Sequence, residues 1–313
     1  MGVSITNEPR TALDLRPVKR TARIKDALIA RLVWVNGQIA ILAIVLIFVF
    51  LVKDSLPLFA RMSPGRFLTG RLWQPEFDVF GVVPLLAGSL FVTAGAVLFA
   101  VPIGVACAVY LAEVAPKWVR EILKPTIEVL AGIPSVVIGF IGLVVAAPFL
   151  QQMLGLPIGV TALTGSLMLG FMAMPTIISI SEDAIVSVPK SYRDGSLALG
   201  ASKWETIRSV VLPAAKSGVI AACMLGVGRA VGETMTVLMV TGNAAKLPHG
   251  LAGIVPFFLG PVRTMTATIA LEMGDSVQYS THYHALFAVG LTLFVITFAI
   301  NLTADIALKR GRH

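Results

Sequence analysis

Between Val129 and Ser181 the chain carries no Asp, Glu, Lys or Arg. That run constrains the fold more than any other feature. A helix needs roughly 20 apolar residues to cross a bilayer, so the run is too long for one span and the right length for two. Gln151, Gln152, Gly155 and Pro157 mark the turn between them. Three further runs are also uncharged: Val33 to Val52, Val79 to Ala112 and Ala285 to Ala304. Of the 313 residues, 56% are hydrophobic and 13% charged, where a soluble domain carries about 25% charged residues. Lipid is the main solvent, and the expected fold class is an all-α integral membrane protein.

Six transmembrane helices follow. Residues 33–52 form the first. The second lies at about Leu85 to Leu111, after Pro84, and the third at about Thr126 to Leu150. The fourth lies at about Gly159 to Ile180, the fifth at Ala214 to Gly242 and the sixth at Ala285 to Ala304. Residues 1–32 form a basic tail without a cleavable signal pattern, 53–84 an external loop, 182–213 a cytoplasmic loop and 306–313 a C-tail. Trp73, Phe77 and Phe80 are expected at headgroup level, where aromatic rings are favoured. Pro102, Pro134, Pro148 and Pro175 are candidate kink sites.

The formal charge is +8. Its distribution argues against nucleic acid as a partner, because the cations sit in tails and loops between apolar runs. Under the six-span arrangement, 18 of the 25 Lys and Arg residues fall on one side and 6 on the other. That excess places both termini in the cytoplasm, and basic tail residues are free to meet anionic lipid. Cys107 and Cys223 lie in separate apolar runs and imply no disulfide. His282 and His284 have no carboxylate or Cys to complete a metal site, so none is expected. No Gly-Lys dipeptide occurs, so the chain has no Walker-type phosphate loop of its own.

The 182–213 loop is patterned. Ile185, Val188, Leu197 and Leu199, then Trp204, Ile207, Val210 and Val211, suggest two short amphipathic helices. Gly200 sits between them where a sharp turn needs positive φ, and Pro213 is expected to stop the second helix. The stretch Asp194-Gly195-Ser196, three residues, Gly200, nine residues, then Val210-Val211-Leu212-Pro213 resembles the EAA loop of ABC importer permeases. Asp194, Gly195 and Ser196 depart from Glu-Ala-Ala and Val210 from Ile, while the spacing is kept. The resemblance implies an ATPase-coupling role for Asp194, Gly200, Ala201, Ser202, Leu212 and Pro213.

Within the fifth span lies Gly228-Arg229-Ala230-Val231-Gly232-Glu233-Thr234-Met235-Thr236. An arginine at the bilayer centre costs about 2.5–3.5 kcal/mol and requires protein or water around it. Glu233 is four residues on, hence on the same face of a continuous helix. Two readings stand. Either the two side chains form a closed structural salt bridge, or Arg229 lines an anion path with Glu233 competing for it, a guanidinium being able to fork onto two oxyanion oxygens. The second is favoured, because a lone buried pair seldom repays its desolvation. Thr234 and Thr236 add hydroxyls to this candidate pathway.

The Arg-Ala-x-Gly-Glu-Thr stretch is similar to phosphate-specific (Pst) permeases. So are Leu130 to Gly139, Gly242-Asn243, Arg263 to Ala270 and His282 to Ala288, which resemble the PstC type rather than PstA. The likeness runs from about Trp73 to Asp305. It implies a type I (MetI-like) importer permease with a core over 85–305, paired with a PstA-like second permease. It also implies two PstB-like ATPase subunits that hold ATP and Mg, and an external PstS-like phosphate-binding protein. Arg263 is read as a solvated loop charge, with anion guidance at the outer mouth as the alternative. Three other functions are consistent with the residues alone: a permease for sulfate or molybdate, a proton-coupled anion transporter with Glu233 as proton carrier, and a membrane enzyme. The last has no acid, base and nucleophile grouping within the spans.

Overall fold

The computed structural model describes residues 20–248 and 250–310. Among them, six helical stretches are long and apolar enough to cross a membrane: Leu28–Arg61, Val83–Val114, Ser135–Leu154, Ala162–Val186, Lys203–Val231 and Thr281–Thr303. The basic tail up to Lys19, and Arg312 at the other end, lie outside the described residues. The chain divides into two units, Met1–Phe50 and Leu51–His313. The first is helical wherever it is described, from Arg20 to Phe50.

The elements run in chain order. α1 (Arg20–Arg61) is followed by α2 (Pro64–Thr69), a hairpin of β1 (Trp73–Gln74) and β2 (Val79–Phe80), and α3 (Val83–Val109), which closes in a π-helical turn at Tyr110–Val114. Then come α4 (Lys117–Ala131), α5 (Ser135–Ile141), a π turn at Gly142–Ala146, α6 (Ala147–Leu154) and α7 (Ala162–Val186). α8 (Lys190–Ala198) and α9 (Lys203–Thr206) are the two short helices expected in the 182–213 loop. A π turn at Ile207–Val211 leads into α10 (Leu212–Val231). α11 (Met235–Val240), α12 (Ile254–Phe258), α13 (Met265–Glu272) and α14 (Thr281–Arg310) complete the chain.

Several boundaries differ from the sequence reading, each for a local reason. The first helix does not stop at Val52. It continues through Lys53, Asp54 and Pro57 to Arg61, where Leu58 is fully buried and the Asp54 carbonyl meets His284 Nδ1 at 2.7 Å. Trp73 and Phe80 are not at a headgroup surface. They pair across the hairpin with ring centroids 5.5 Å apart and are buried with Leu58, Phe67 and Leu286, while Phe77 remains exposed. Arg263 is not a solvated loop charge: it donates to the Asn243 carbonyl (2.8 Å) and Glu272 (2.5 Å). Glu272 also accepts from Trp73 Nε1 and meets His282. Pro102 and Pro175 lie inside helices, and Pro134 and Pro148 at helix starts.

The third span begins at Ser135, not Thr126, because Gly132-Ile133-Pro134 interrupts the helix. The charged segment before it is the amphipathic helix α4 rather than a loop. Its cations turn inward: Arg120 and Lys124 both bond Glu182 of α7, whose side chain is 1% exposed, and Lys124 also reaches Asp183. The fifth span ends at Val231 instead of Gly242. Pro213 does not stop a helix. It occupies the first turn of α10, where its missing N–H costs little, and the wider π turn before it admits the ring.

Close backbone approach fixes the packing of α3. A Cβ on Gly88 would lie 2.2 Å from the Arg263 carbonyl oxygen. Gly88→Ala is expected to cost about 1–3 kcal/mol, read as a lower thermal midpoint of the purified protein in detergent. Glu182→Ala takes the buried carboxylate from Arg120 and leaves Lys124 only Asp183, and is expected to cost about 1–3 kcal/mol. The same melt, compared with Glu182→Gln, checks it.

Candidate functional site

Two helices break beside one another, and Arg229 stands between the breaks. α10 ends at Val231 with Gly232, a poor helix former, at its C-cap, and α11 restarts at Met235. α4 ends at Ala131 and α5 restarts at Ser135, after Pro134. α5 and α11 then pack closely. A Cβ on Gly139 of α5 would meet Thr236 Cα at 3.1 Å, and Thr236 Oγ1 donates to the Ser135 carbonyl at 3.0 Å.

The expected Arg229–Glu233 pair does not form. The spacing of four presumed a continuous helix, whereas Glu233 lies past the end of α10. Its carboxylate turns forward instead, and Oε1 accepts the N–H groups of Met235 (3.0 Å) and Thr236 (3.2 Å). It thus covers the first free amides of α11, where negative charge is favoured. Arg229 donates from Nη1 to Thr176 Oγ1 of α7 (3.1 Å) and from Nη2 to the Ala131 carbonyl of α4 (3.2 Å). Among the described residues it forms no salt bridge with a carboxylate. The closed structural pair is therefore ruled out in this conformation. The guanidinium is half-buried, charged and held only by neutral acceptors.

Of the other pathway candidates, Thr236 is fully buried and committed to Ser135. Thr234 is half-buried and makes only a long contact to the Gly232 carbonyl (3.4 Å). Next to Glu233 lies a small cleft of about 10 Å³, bordered by the hydroxyl-bearing Ser89, Thr93, Thr264 and Thr266. Thr266 Oγ1 donates to the Glu233 carbonyl at 2.8 Å, and Ser89 Oγ accepts the Met265 N–H at 2.9 Å. Sequence reasoning assigned no role to these hydroxyls or to Thr176. The one local signal was a hydroxyl at every second position over Thr264, Thr266 and Thr268.

The α8–α9 segment has the two short helices and the sharp turn expected of it. Gly200 has φ of +85° between α8 and α9. Ser202 caps α9 in a reciprocal capping box with Glu205. Ser196 meets Thr206 Oγ1 at 2.9 Å, tying the two short helices together at a position where the EAA pattern has Ala. The apolar residues divide by task. Ile185, Val188, Ile207 and Val211 are buried against the body, whereas Leu197, Leu199 and Trp204 face outward, Leu199 at 90% exposure. Asp194 and Pro213 are exposed as well, Ala201 and Leu212 half-buried.

Known proteins match this chain at both levels. The family described as "Binding-protein-dependent transport system inner membrane component" matches residues 100–312. The "Probable ABC transporter permease protein YqgH" of Bacillus subtilis is 43% identical over 268 residues, 84% of each chain. The "Phosphate transport system permease protein PstC" of Mesorhizobium japonicum is 36% identical over 263 residues, 78% of each. PstC 2 of Mycobacterium tuberculosis is 33% identical over 324 aligned positions, 96% of this chain and 95% of that one. Among solved structures, a bacterial ABC importer of alginate superposes with TM-score 0.58 at 14% identity, covering 92% of this chain and 99% of that one. The inward-facing methionine transporter MetNI superposes with TM-score 0.55 at 19% identity, covering 77% and 99%. These two likenesses bear on fold alone and agree with the expected MetI-like architecture. Together with the six spans and the sequence relatives, they lead to one conclusion: this multi-pass membrane protein belongs to the family of binding-protein-dependent transport system inner membrane components, as an ABC importer permease subunit.

Proposed function

We propose that this chain carries inorganic phosphate across the inner membrane as one half of the channel of an ATP-driven importer. Its termini lie in the cytoplasm, by the excess of cations on that side. A PstA-like permease completes the channel, two PstB-like subunits bind ATP and Mg and dock at the α8–α9 segment, and a PstS-like protein delivers phosphate from outside. The PstC names of the relatives support the cargo. A solved alginate transporter in complex with a loaded periplasmic protein, TM-score 0.57, supports delivery by such a partner. The outward Leu197, Leu199 and Trp204 support docking, since exposed apolar clusters of this kind mark interaction surfaces.

One observation carries the reading. Arg229 is a permanent cation at the junction of two discontinuous helices, and neutral acceptors alone hold it. Broken helices of this kind are the usual location of transport sites. An arriving oxyanion replaces a hydroxyl and a carbonyl with charge-assisted bonds. Glu233, lying near but bonded elsewhere, limits how tightly the anion is held, so that it leaves. Conduction needs binding that is favourable and also reversible.

The complex reconstituted in vesicles tests this. Arg229→Gln is expected to reduce phosphate uptake about 30-fold or more, the equivalent of ~2 kcal/mol in lost charge-assisted bonding, while all subunits still co-purify. Normal uptake by that variant removes the anion-path role, and equal competition by sulfate or molybdate removes the phosphate assignment. Gly200→Arg, which places a bulky cation at a left-handed φ, is expected to release the ATPase from the purified complex. ATPase retained at wild-type amounts counts against docking at this segment.

A further inference from the structure

Arg193, in the middle of α8, does not face outward with the rest of that helix. Its side chain is 19% exposed and bonded to two other elements. Nε and Nη2 donate to Glu113 Oε1 at 2.9 and 2.6 Å. Nη1 donates to the Val188 carbonyl at 2.6 Å and Nη2 to the Ile185 carbonyl at 2.9 Å. Glu113, itself 10% exposed, stands in the π turn that closes α3. Ile185 lies in the last turn of α7 and Val188 just beyond it. One planar group therefore joins the cytoplasmic segment to the ends of two spans.

The chemistry suits a stiff joint. The last carbonyls of a helix have no intrahelical donors and carry the negative end of its dipole, so a cation there is favoured twice. A guanidinium presents its donors in a fixed fork, whereas an ammonium is a point charge on a flexible stem. The same end of α7 holds α4 through Glu182 and Asp183.

We infer that Arg193 is the positioning residue that transmits motion of the α8–α9 segment to α3 and α7 and, through the Glu182 pairs, to α4. This rests on the reading of that segment as the ATPase dock. Coupling between distant sites travels through packed elements and bonded networks with discrete arrangements. Among the described residues, the Arg193 cluster is the ionic link between α8 and the spans.

The test uses the reconstituted complex and counts phosphate delivered per ATP hydrolysed in the same vesicles. Arg193→Gln and Glu113→Gln are each expected to keep the ATPase bound and hydrolysing while that ratio falls about tenfold, within the range of coupling effects of single residues. Arg193→Lys, which keeps the charge but not the fork, falls between. A role in folding alone lowers hydrolysis and transport together, so an unchanged ratio in both Gln variants overturns the inference. Where Arg193→Gln fails to assemble, Glu113→Gln decides, because it leaves both carbonyl bonds in place. Gly200→Arg, measured alongside, separates the two readings. If it retains the ATPase and a normal ratio, the docking reading is at fault. If it loses the ATPase while the Gln variants stay fully coupled, the joint alone fails.

Discussion

A helix that breaks frees backbone groups, and each such group shielded from water costs several kcal/mol if left alone. This chain breaks two helices next to each other, each at the end of a span, and residues of α10 and α11 repair the break between α4 and α5. The Ala131 carbonyl at the first break takes a bond from Arg229, and the Ser135 carbonyl one from Thr236. At the second break, Glu233 covers the amides of Met235 and Thr236, and Thr266 bonds the Glu233 carbonyl. The polar cluster around Arg229 and Glu233 is thus also what stabilises the broken helices. A residue serving both purposes is not dispensable, and its loss affects structure and passage together unless a neutral isostere replaces it.

The two ends of the molecule solve the problem of charge in different ways. Beside the β1–β2 hairpin Glu272 gathers Arg263, His282 and Trp73 around one carboxylate. Beside the α8–α9 segment Glu182 takes two cations and Glu113 a third. Each cluster joins segments far apart in sequence. Breaking one by removing a single partner leaves an unpaired charge, which is the costly case. Among the described residues Arg229 is the exception among the half-buried cations, and that asymmetry is what separates a candidate transport residue from a structural one.

Much of the fold was legible in the sequence, because lipid imposes long uncharged runs and few elements satisfy them. All six spans were found on that basis. Their ends were less legible. The Glu113 to Glu128 stretch reads as a short loop by its charges, yet Arg120 and Lys124 turn inward to a carboxylate some sixty residues away. The break at Gly232 is hard to see in hydropathy, since apolar residues resume within three positions, at Met235. For that reason Arg229 and Glu233 read as a pair on one helix face, which the break separates. The partners of Arg229 come from positions 53 and 98 residues distant, which no local pattern records. The α8–α9 segment was the most legible part, because a positive φ at Gly200 and a capping box at Ser202 are local chemistry.

The unbroken helical path across Pro213 has a mechanical consequence. From Lys203 to Val231 the chain is one rod of 29 residues, about 43 Å long at ~1.5 Å per residue. Trp204 rides near one tip and Arg229 near the other. Such a rod acts as a lever arm: pivoting by about 5° at the Trp204 tip sweeps the far tip through about 4 Å, more than the length of a hydrogen bond. A small tilt imposed at the Trp204 end is therefore on the scale of the bonds from the guanidinium to Thr176 and Ala131, without unwinding a single turn.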